Sequence, residues 1–405
     1  MTAKNKYDIA KVIQRFLPKL EGQSQLSGHQ LSMLKLMSIC KTAALGGHKE
    51  MCDHCNYHRY HYNSCRNRNC PSCQAVNKEK WIFDRQYDLL PVKYFHCVFT
   101  VPSELYVFFR YNKKKLYDLI LRTTKEVFRT LGYDHKQRIN GKVGGILLLH
   151  TWTQQMTYHP HVHCIVPAGG INNNGQWVHS ASNGDFLFHV KVMSRLFRGK
   201  FLAGLHQLYK SGQLHLSPKM STDYKSLKNN LYKTDWVVYA KKAFGGPQQV
   251  LEYLGRYTHK ICISNHRIVN ITDTHVTFKY LDRKKKLSLT KTVRGEHFLR
   301  LFAAHILPKG FVKIRHFGFL SSRSKKKDLL IARISLNAPQ PPEKLKMTTT
   351  EFIKLTTGKD PHLCPCCHQG EMTIIKIMPP IRGSPRKSSF IIGVSKQRKV
   401  KFSRS

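Results

Sequence analysis

The pair Cys52-x-x-Cys55, separated by fourteen residues from Cys70-x-x-Cys73, constrains this chain more than any other feature. A tight turn carrying two thiolates grips one ion, and two such turns complete a tetrahedral zinc site with no open position for chemistry. Asp53, His54, Asn56 and Arg59 are too polar for a core of buried cysteines. The spacing therefore predicts a small module folded around a structural Zn²⁺ held by Cys52, Cys55, Cys70 and Cys73. Cys65, His48, His58 and His61 lie close by and leave open a swapped ligand or a second ion. Cys364, Cys366 and Cys367, with His368, give a single further CxxC with no downstream partner pair, read either as another small metal site or as an exposed thiol cluster. Twelve cysteines, most in tight clusters, indicate metal rather than disulfides and a cytoplasmic protein.

The second feature is TYHPHVHCIVPAGG, residues 157–170, with His159, His161 and His163 at every second position. In a strand, alternate side chains leave on one face, so the imidazoles can point one way while Val162 and Cys164 point into a core. Two histidines flanking a bulky apolar residue read either as metal ligands or as satisfied polar groups.

The charge decides the class of partner. Lys and Arg number 68 against 23 Asp and Glu, a formal net charge of +45. An ordinary solvated surface would carry about as many acids as bases. The excess implies a polyanion, most naturally nucleic acid. A transposase built on three carboxylates is disfavoured by the scarcity of acids. The N-terminus lacks the apolar run of a signal peptide, and no apolar segment is long enough to span a bilayer.

The chain divides into three parts. Residues 1–90 read as helices followed by the cysteine module. Residues 91–330 alternate β segments (Tyr94 to Val101, 144–152 and the histidine strand) with helices (Leu105 to Leu131, and GPQQVLEYLGRYTHK). RIVNITDTHVTFKYLD resembles an antiparallel hairpin. Residues 331–405 hold a Pro-rich linker, the second cysteine cluster and a basic tail. The expected class is α+β.

Tyr253 and Tyr257 lie four residues apart, on one face of their helix. An isolated YxxxY is an aromatic stripe packed on a sheet; beside a histidine pair in so basic a protein it takes on another meaning. A divalent ion held by imidazoles polarises a scissile phosphate, and a tyrosine hydroxyl displaces the 3′ oxygen to leave a 5′-phosphotyrosine. The bond energy is stored, consistent with the absence of a GxxxxGK[ST] loop.

The blocks TAALGGHKEMCDHC, YNSCRNRNCPSCQ, FHCVFTVP, HTWTQQMTYHPHVHCIVPAGG, YLGRYTHKICISNHRI and HILPKGFVKIRHFGFL, spread over about residues 40–325, resemble the rolling-circle transposases of the insertion-sequence-91-like group. Asn69, Thr153 and Ala168 depart from that group's pattern. The resemblance implies a zinc-binding module ahead of a His-hydrophobic-His nuclease domain with a central antiparallel sheet and a tyrosine-bearing helix. It implies Tyr253 and Tyr257 as nucleophiles and His161 and His163 as ligands of Mg²⁺ or Mn²⁺. The substrate is then DNA, single-stranded at cleavage, with no small-molecule substrate and no membrane. A third ligand is left open among His159, His96 and His259, with Gln154 and Gln155 as further candidates. Arg256, Lys260, Lys313, Arg315 and the run from Arg283 are candidate backbone contacts, and Trp152 or Tyr158 candidate stacking partners for unpaired bases. Two rivals are a replication initiator or relaxase with the same chemistry, and a noncatalytic zinc-dependent DNA-binding protein.

Overall fold

The computed structural model describes residues 7–21, 26–216, 224–244, 249–250, 255, 261–282, 285–345 and 347–381. The architecture is α+β, and every strand pairing among these residues is antiparallel.

The chain opens with α1 (Ile9–Phe16) and α2 (Gly28–Ser38). Asp8 caps α1 by accepting from the Lys11 N–H, and Ser27 with Gln30 forms a reciprocal capping box on α2. Ile9, Val12, Ile13 and Phe16 recur at helical spacing and are buried. They pack against Ile268, Val276, Phe278, Phe298 and Phe302, far along the sequence. Then come β1 (Gly47–Cys52), β2 (His58–Tyr62) and α3 (Gln74–Gln86).

The next segment builds the main sheet. Its elements are β3 (Tyr94–Thr100), α4 (Tyr106–Tyr111), α5 (Lys113–Tyr133), β4 (Gly141–Val143), β5 (Gly145–Trp152), β6 (Tyr158–Pro167), β7 (Gly169–Asn172), β8 (Trp177–His179), α6 (Val190–Lys210), α7 (Tyr224–Lys233) and β9 (Val238–Phe244). After these follow β10 (Ile268–Ile271), β11 (His275–Asp282), β12 (Leu287–Arg294), α8 (Gly295–Ala304), β13 (Ile314–Phe317), α9 (Lys325–Ser335), α10 (Thr349–Thr357) and β14 (Met372–Met378).

The main sheet runs β13-β5-β6-β3-β9. Alternation along its strands sorts two faces. Phe95, Cys97, Phe99, Leu147, Leu149, Val162, Cys164 and Val166 belong to one core, closed by Phe128 of α5 and by Phe197 and Phe201 of α6. Each fully buried phenylalanine contributes roughly 1.5–3 kcal/mol of transfer free energy, so this face fixes the register. The opposite face carries Tyr94, Ile146, Leu148 and Ile165 at one end, where they pack with Val250 and Phe319. Towards the other end of that face lie the histidines.

Three smaller sheets accompany it among the described residues, β14-β1-β2, β4-β7-β8 and β10-β11-β12. In the last, β10 and β11 form the expected hairpin, and β12 extends it. Gln249, Val250 and Gly255 are helical, while the rest of the expected tyrosine helix lies outside the described residues. The far end of the chain returns to its beginning: β14 pairs with β1, from Gly47 opposite Met378 to Cys52 opposite Met372. No helix among the described residues is long and apolar enough to cross a membrane.

Candidate active site and metal centres

His161 and His163 leave β6 on the face opposite Val162 and Cys164, as period-2 alternation requires. Their Nε2 atoms lie 3.1 Å apart. Strand pairing sets His150 of β5 directly opposite His161. One ligand atom from each of His150, His161 and His163 lies within 4.8 Å of the others. His150 and His163 are buried and His161 is half-buried, a site closed from below by the sheet. His161 Nδ1 donates to the carbonyl of His159 at 2.7 Å; this fixes the tautomer and frees Nε2 for a cation. Trp152 stacks on His150 with ring centroids 4.7 Å apart.

The third imidazole in the group is therefore His150, a residue not among the sequence candidates. His159 shares the face and its ring lies 5.0 Å from that of His161, but its Nδ1 is engaged by the Tyr106 hydroxyl, and burial pushes its pKa down. His96 bonds to His163 Nδ1 at 2.8 Å instead of joining the trio. His259 lies outside the described residues, as do Tyr253 and Tyr257. Gln154 accepts from Arg267 through its backbone carbonyl, and Gln155 Oε1 accepts from Lys291 at 3.1 Å.

The cysteines require a correction. Cys52, Cys55, Cys70 and Cys73 do not form one tetrad: Cys70 and Cys73 group with Cys40 and Cys65, whereas Cys52 and Cys55 group with Cys364 and Cys367. The reason is the hairpin. Cys52 and Cys55 sit at its tip, while Cys40 lies before its base; the six residues of β1, at about 3.3 Å each, separate the two by roughly 20 Å. One ion cannot reach both ends. In the first tetrad Cys40 and Cys65 each lie 3.5 Å from Cys73, sulfur to sulfur. Cys70 lies 3.7 Å from Cys40, and Cys65 N–H donates to the Cys40 sulfur. A tetrahedron with Zn–S of about 2.3 Å has edges of about 3.8 Å, whereas a disulfide would need about 2.05 Å. Four sulfurs thus meet at ion-binding spacing with a backbone donor already aimed at one of them.

Residues 144–328 match the family model described as "Putative transposase", and residues 12–101 match one described as "Transposase zinc-binding domain". Over 395 residues the chain is 38% identical to "Putative transposase y4qJ" of Sinorhizobium fredii (strain NBRC 101917 / NGR234), covering 94% of this chain and 97% of that protein. It is 29% identical over 340 residues to "Transposase for insertion sequence element IS801" of Pseudomonas savastanoi pv. phaseolicola, covering 82% and 80%. The chain belongs to the insertion-sequence-91-like transposases. No solved structure matches it. Membership makes DNA the partner of this transposase, and its zinc-binding domain and cysteine tetrads support structural zinc.

Arg68, from the loop between Cys65 and Cys70, donates to the carbonyls of Pro308, at 2.8 Å, and Phe311, tying the first tetrad to the loop before β13. Lys313 lies beside Arg68, and burial pushes its pKa down to about 8. Arg315 is paired with Asp118, while Arg256, Lys260 and Arg283 lie outside the described residues. Tyr158 is not available for stacking on bases: it is buried, and its hydroxyl bonds to that of Tyr117 at 2.6 Å. Trp152 is half-exposed beside His150.

Proposed function

We propose that this transposase cleaves one DNA strand through a 5′-phosphotyrosine intermediate and transfers that strand, with Tyr253 and Tyr257 as nucleophiles and His150, His161 and His163 as the cation site. The single observation carrying this reading is the convergence of three imidazoles on one sheet face that Val250 also covers: Val250 packs with Leu148 and Ile165, each two residues from a histidine of the trio. Tyr253 and Tyr257 follow Val250 by three and seven residues and flank Gly255.

A divalent cation held there, Mg²⁺ or Mn²⁺, would polarise the scissile phosphate as a Lewis acid. The tyrosine oxygen attacks phosphorus, the P–O3′ bond breaks, the phenolic proton is lost and the 3′ oxygen leaves to become a hydroxyl. The 5′ phosphate stays on the tyrosine, and a new 3′ hydroxyl reverses the exchange on another strand. A second tyrosine four residues on in sequence serves a second strand while the first is held. The four thiolates of Cys40, Cys65, Cys70 and Cys73 leave no open position, so that tetrad is structural. The substrate sets the compartment, the bacterial cytoplasm with its nucleoid.

The test incubates the protein with labelled single-stranded oligonucleotides tiling the DNA on both sides of its gene, in Mg²⁺ or Mn²⁺, followed by a denaturing gel. A protease-sensitive shifted band that needs the cation, and that is lost in the double variant Tyr253→Phe/Tyr257→Phe and in His161→Ala, is the expected result. Tight binding with no adduct on any oligonucleotide sinks the catalytic reading.

A further inference from the structure

We infer that Cys52, Cys55, Cys364 and Cys367 hold a second Zn²⁺, which clasps the C-terminal segment onto the N-terminal module. Cys364 and Cys367 lie outside the matched zinc-binding domain of residues 12–101. Cys52 and Cys367 sulfurs lie 3.7 Å apart and those of Cys55 and Cys364 3.6 Å apart, close to the edge of about 3.8 Å that a four-thiolate zinc site requires. Both turns also aim backbone donors at sulfur. His54 and Cys55 N–H groups point at Cys52, that of Cys366 at Cys364, and that of Gly370 at Cys367, at 3.4–3.5 Å. Such donors stabilise thiolates and have no role around neutral thiols packed as a core.

The packing argues the same way. The cluster here holds three buried residues, Cys52, Cys364 and Met372, with Cys55 and Cys367 against them. So small an apolar core cannot offset the ordering entropy of the whole segment from Leu363 to Met378, so the sulfurs need an ion between them. Gly370 closes the site: a Cβ there would stand 2.6 Å from the Cys52 sulfur and 2.5 Å from Asp53 Oδ1. Asp53 accepts from the Glu371 N–H at 2.8 Å. The clasp aligns β14 on β1, and Ile381 N–H reaches the Ala44 carbonyl at 3.3 Å. Residues 382–405, which follow in sequence, carry eight Lys and Arg and no acid.

Zinc content and tethering test this together. A protease site is inserted in the full chain between Pro339 and Glu343, and the cut protein is passed over a sizing column with zinc measured in the peak. Two zinc ions per chain, with the C-terminal fragment retained, are expected for the wild type. One zinc, with the fragment released, is expected for Cys364→Ser/Cys367→Ser, the remaining ion reporting that the first tetrad still folds. A single zinc in the wild type, or a fragment retained by the double variant, overturns the clasp.

An independent observation carries a second proposal, resting on DNA as the partner. We propose that the outer face of β1, β2 and β14 binds unpaired bases. Tyr60 and Tyr62 are 54% and 39% exposed, with nearly parallel rings 6.4 Å apart. Pairing aligns Tyr60 with Lys49 and Lys49 with Lys376, and Lys49 Nζ lies 5.8 Å from the Tyr60 ring centre. Glu50 faces the other side, held by Arg59. Stacking rings flanked by lysines, with no carboxylate among the strand positions on their face, match the chemistry of single-stranded nucleic acid.

The measurement is anisotropy of a labelled single-stranded oligonucleotide and its duplex, in a Tyr253→Phe/Tyr257→Phe background. Tyr60→Ala/Tyr62→Ala should weaken single-strand binding about 10-fold or more and leave duplex binding unchanged, with Tyr60→Phe/Tyr62→Phe retaining affinity. Equal loss on both substrates, or no loss, overturns the platform. Failure of the background protein itself to bind single strands would instead count against the single-strand reading of the catalytic reaction.

Discussion

His163 Nδ1 lies 2.8 Å from His96 Nε2, across the pairing of β6 with β3. A neutral His163 that donates from Nδ1 keeps Nε2 as a lone-pair donor facing His161, so in the proposed cation site His96 acts as a positioning residue. Partners of this kind are worth about 10–100-fold in metal affinity. His96→Ala should therefore raise the Mn²⁺ concentration needed for half-maximal cleavage by that factor while leaving thermal unfolding nearly unchanged. His96→Gln, whose carbonyl oxygen can accept the same proton, should recover part of the loss; equal defects in both variants would remove the positioning role.

The donor set itself ranks the cations. Three imidazoles without a carboxylate suit first-row transition ions better than Mg²⁺, which prefers oxygen ligands. Titrating each ion against strand cleavage should give half-activation at a lower concentration of Mn²⁺ than of Mg²⁺. Replacing His150 by Glu adds a hard oxygen and should narrow that gap. A gap unchanged in His150→Glu would place the working ion elsewhere.

A pH effect is built in at His305. It is buried, with Nδ1 3.1 Å from the Thr151 hydroxyl and Nε2 2.9 Å from the Met156 carbonyl, so the ring bridges β5 and the turn into β6. Nε2 must donate to that carbonyl, and Nδ1 then accepts from Thr151. Burial pushes its pKa down from 6.5 to about 4. A folded pKa below the unfolded one means that the unfolded chain binds more protons between these values, so stability is complete above pH 6.5 and falls as pH drops towards 4. The loss reaches about 3 kcal/mol at the acid end. Urea unfolding at pH 7.5 and pH 5 should show it, and His305→Gln, less stable throughout, should show a smaller difference between the two.

Parts of this site were legible in the sequence because they are local. His161 and His163 share a face through the two-residue period alone, and a CxxC turn presents two thiolates whatever surrounds it. His150 was hidden because its place in the trio depends on register, which sets it opposite His161. Nothing in GGILLLHTW announces that partner. The grouping of the cysteines was hidden for a similar reason: Cys55 and Cys364 lie 309 residues apart, and their meeting follows from β14 adding to β1. Likewise α1 reads correctly as an amphipathic helix, but the surface that receives it, built from β10, β11 and α8, comes some 250 residues later.

Gly255 sits between Tyr253 and Tyr257 in sequence and packs against α3, which begins one residue after Cys73. A Cβ at Gly255 would stand 2.5 Å from the Ile82 Cδ1 atom. The end of an isoleucine can turn aside for a methyl group, so Gly255→Ala should lower cleavage only a few-fold. A branched side chain leaves no such escape; overpacking of this kind costs typically 1–3 kcal/mol, and Gly255→Val should depress cleavage by about 10-fold or more. Zinc content should stay at the wild-type value, because α3 keeps its own anchorage. Combining Gly255→Val with Ile82→Ala reopens the space and should restore a large part of the rate. If the double variant is no faster than Gly255→Val alone, the contact with α3 does not govern the presentation of the tyrosines.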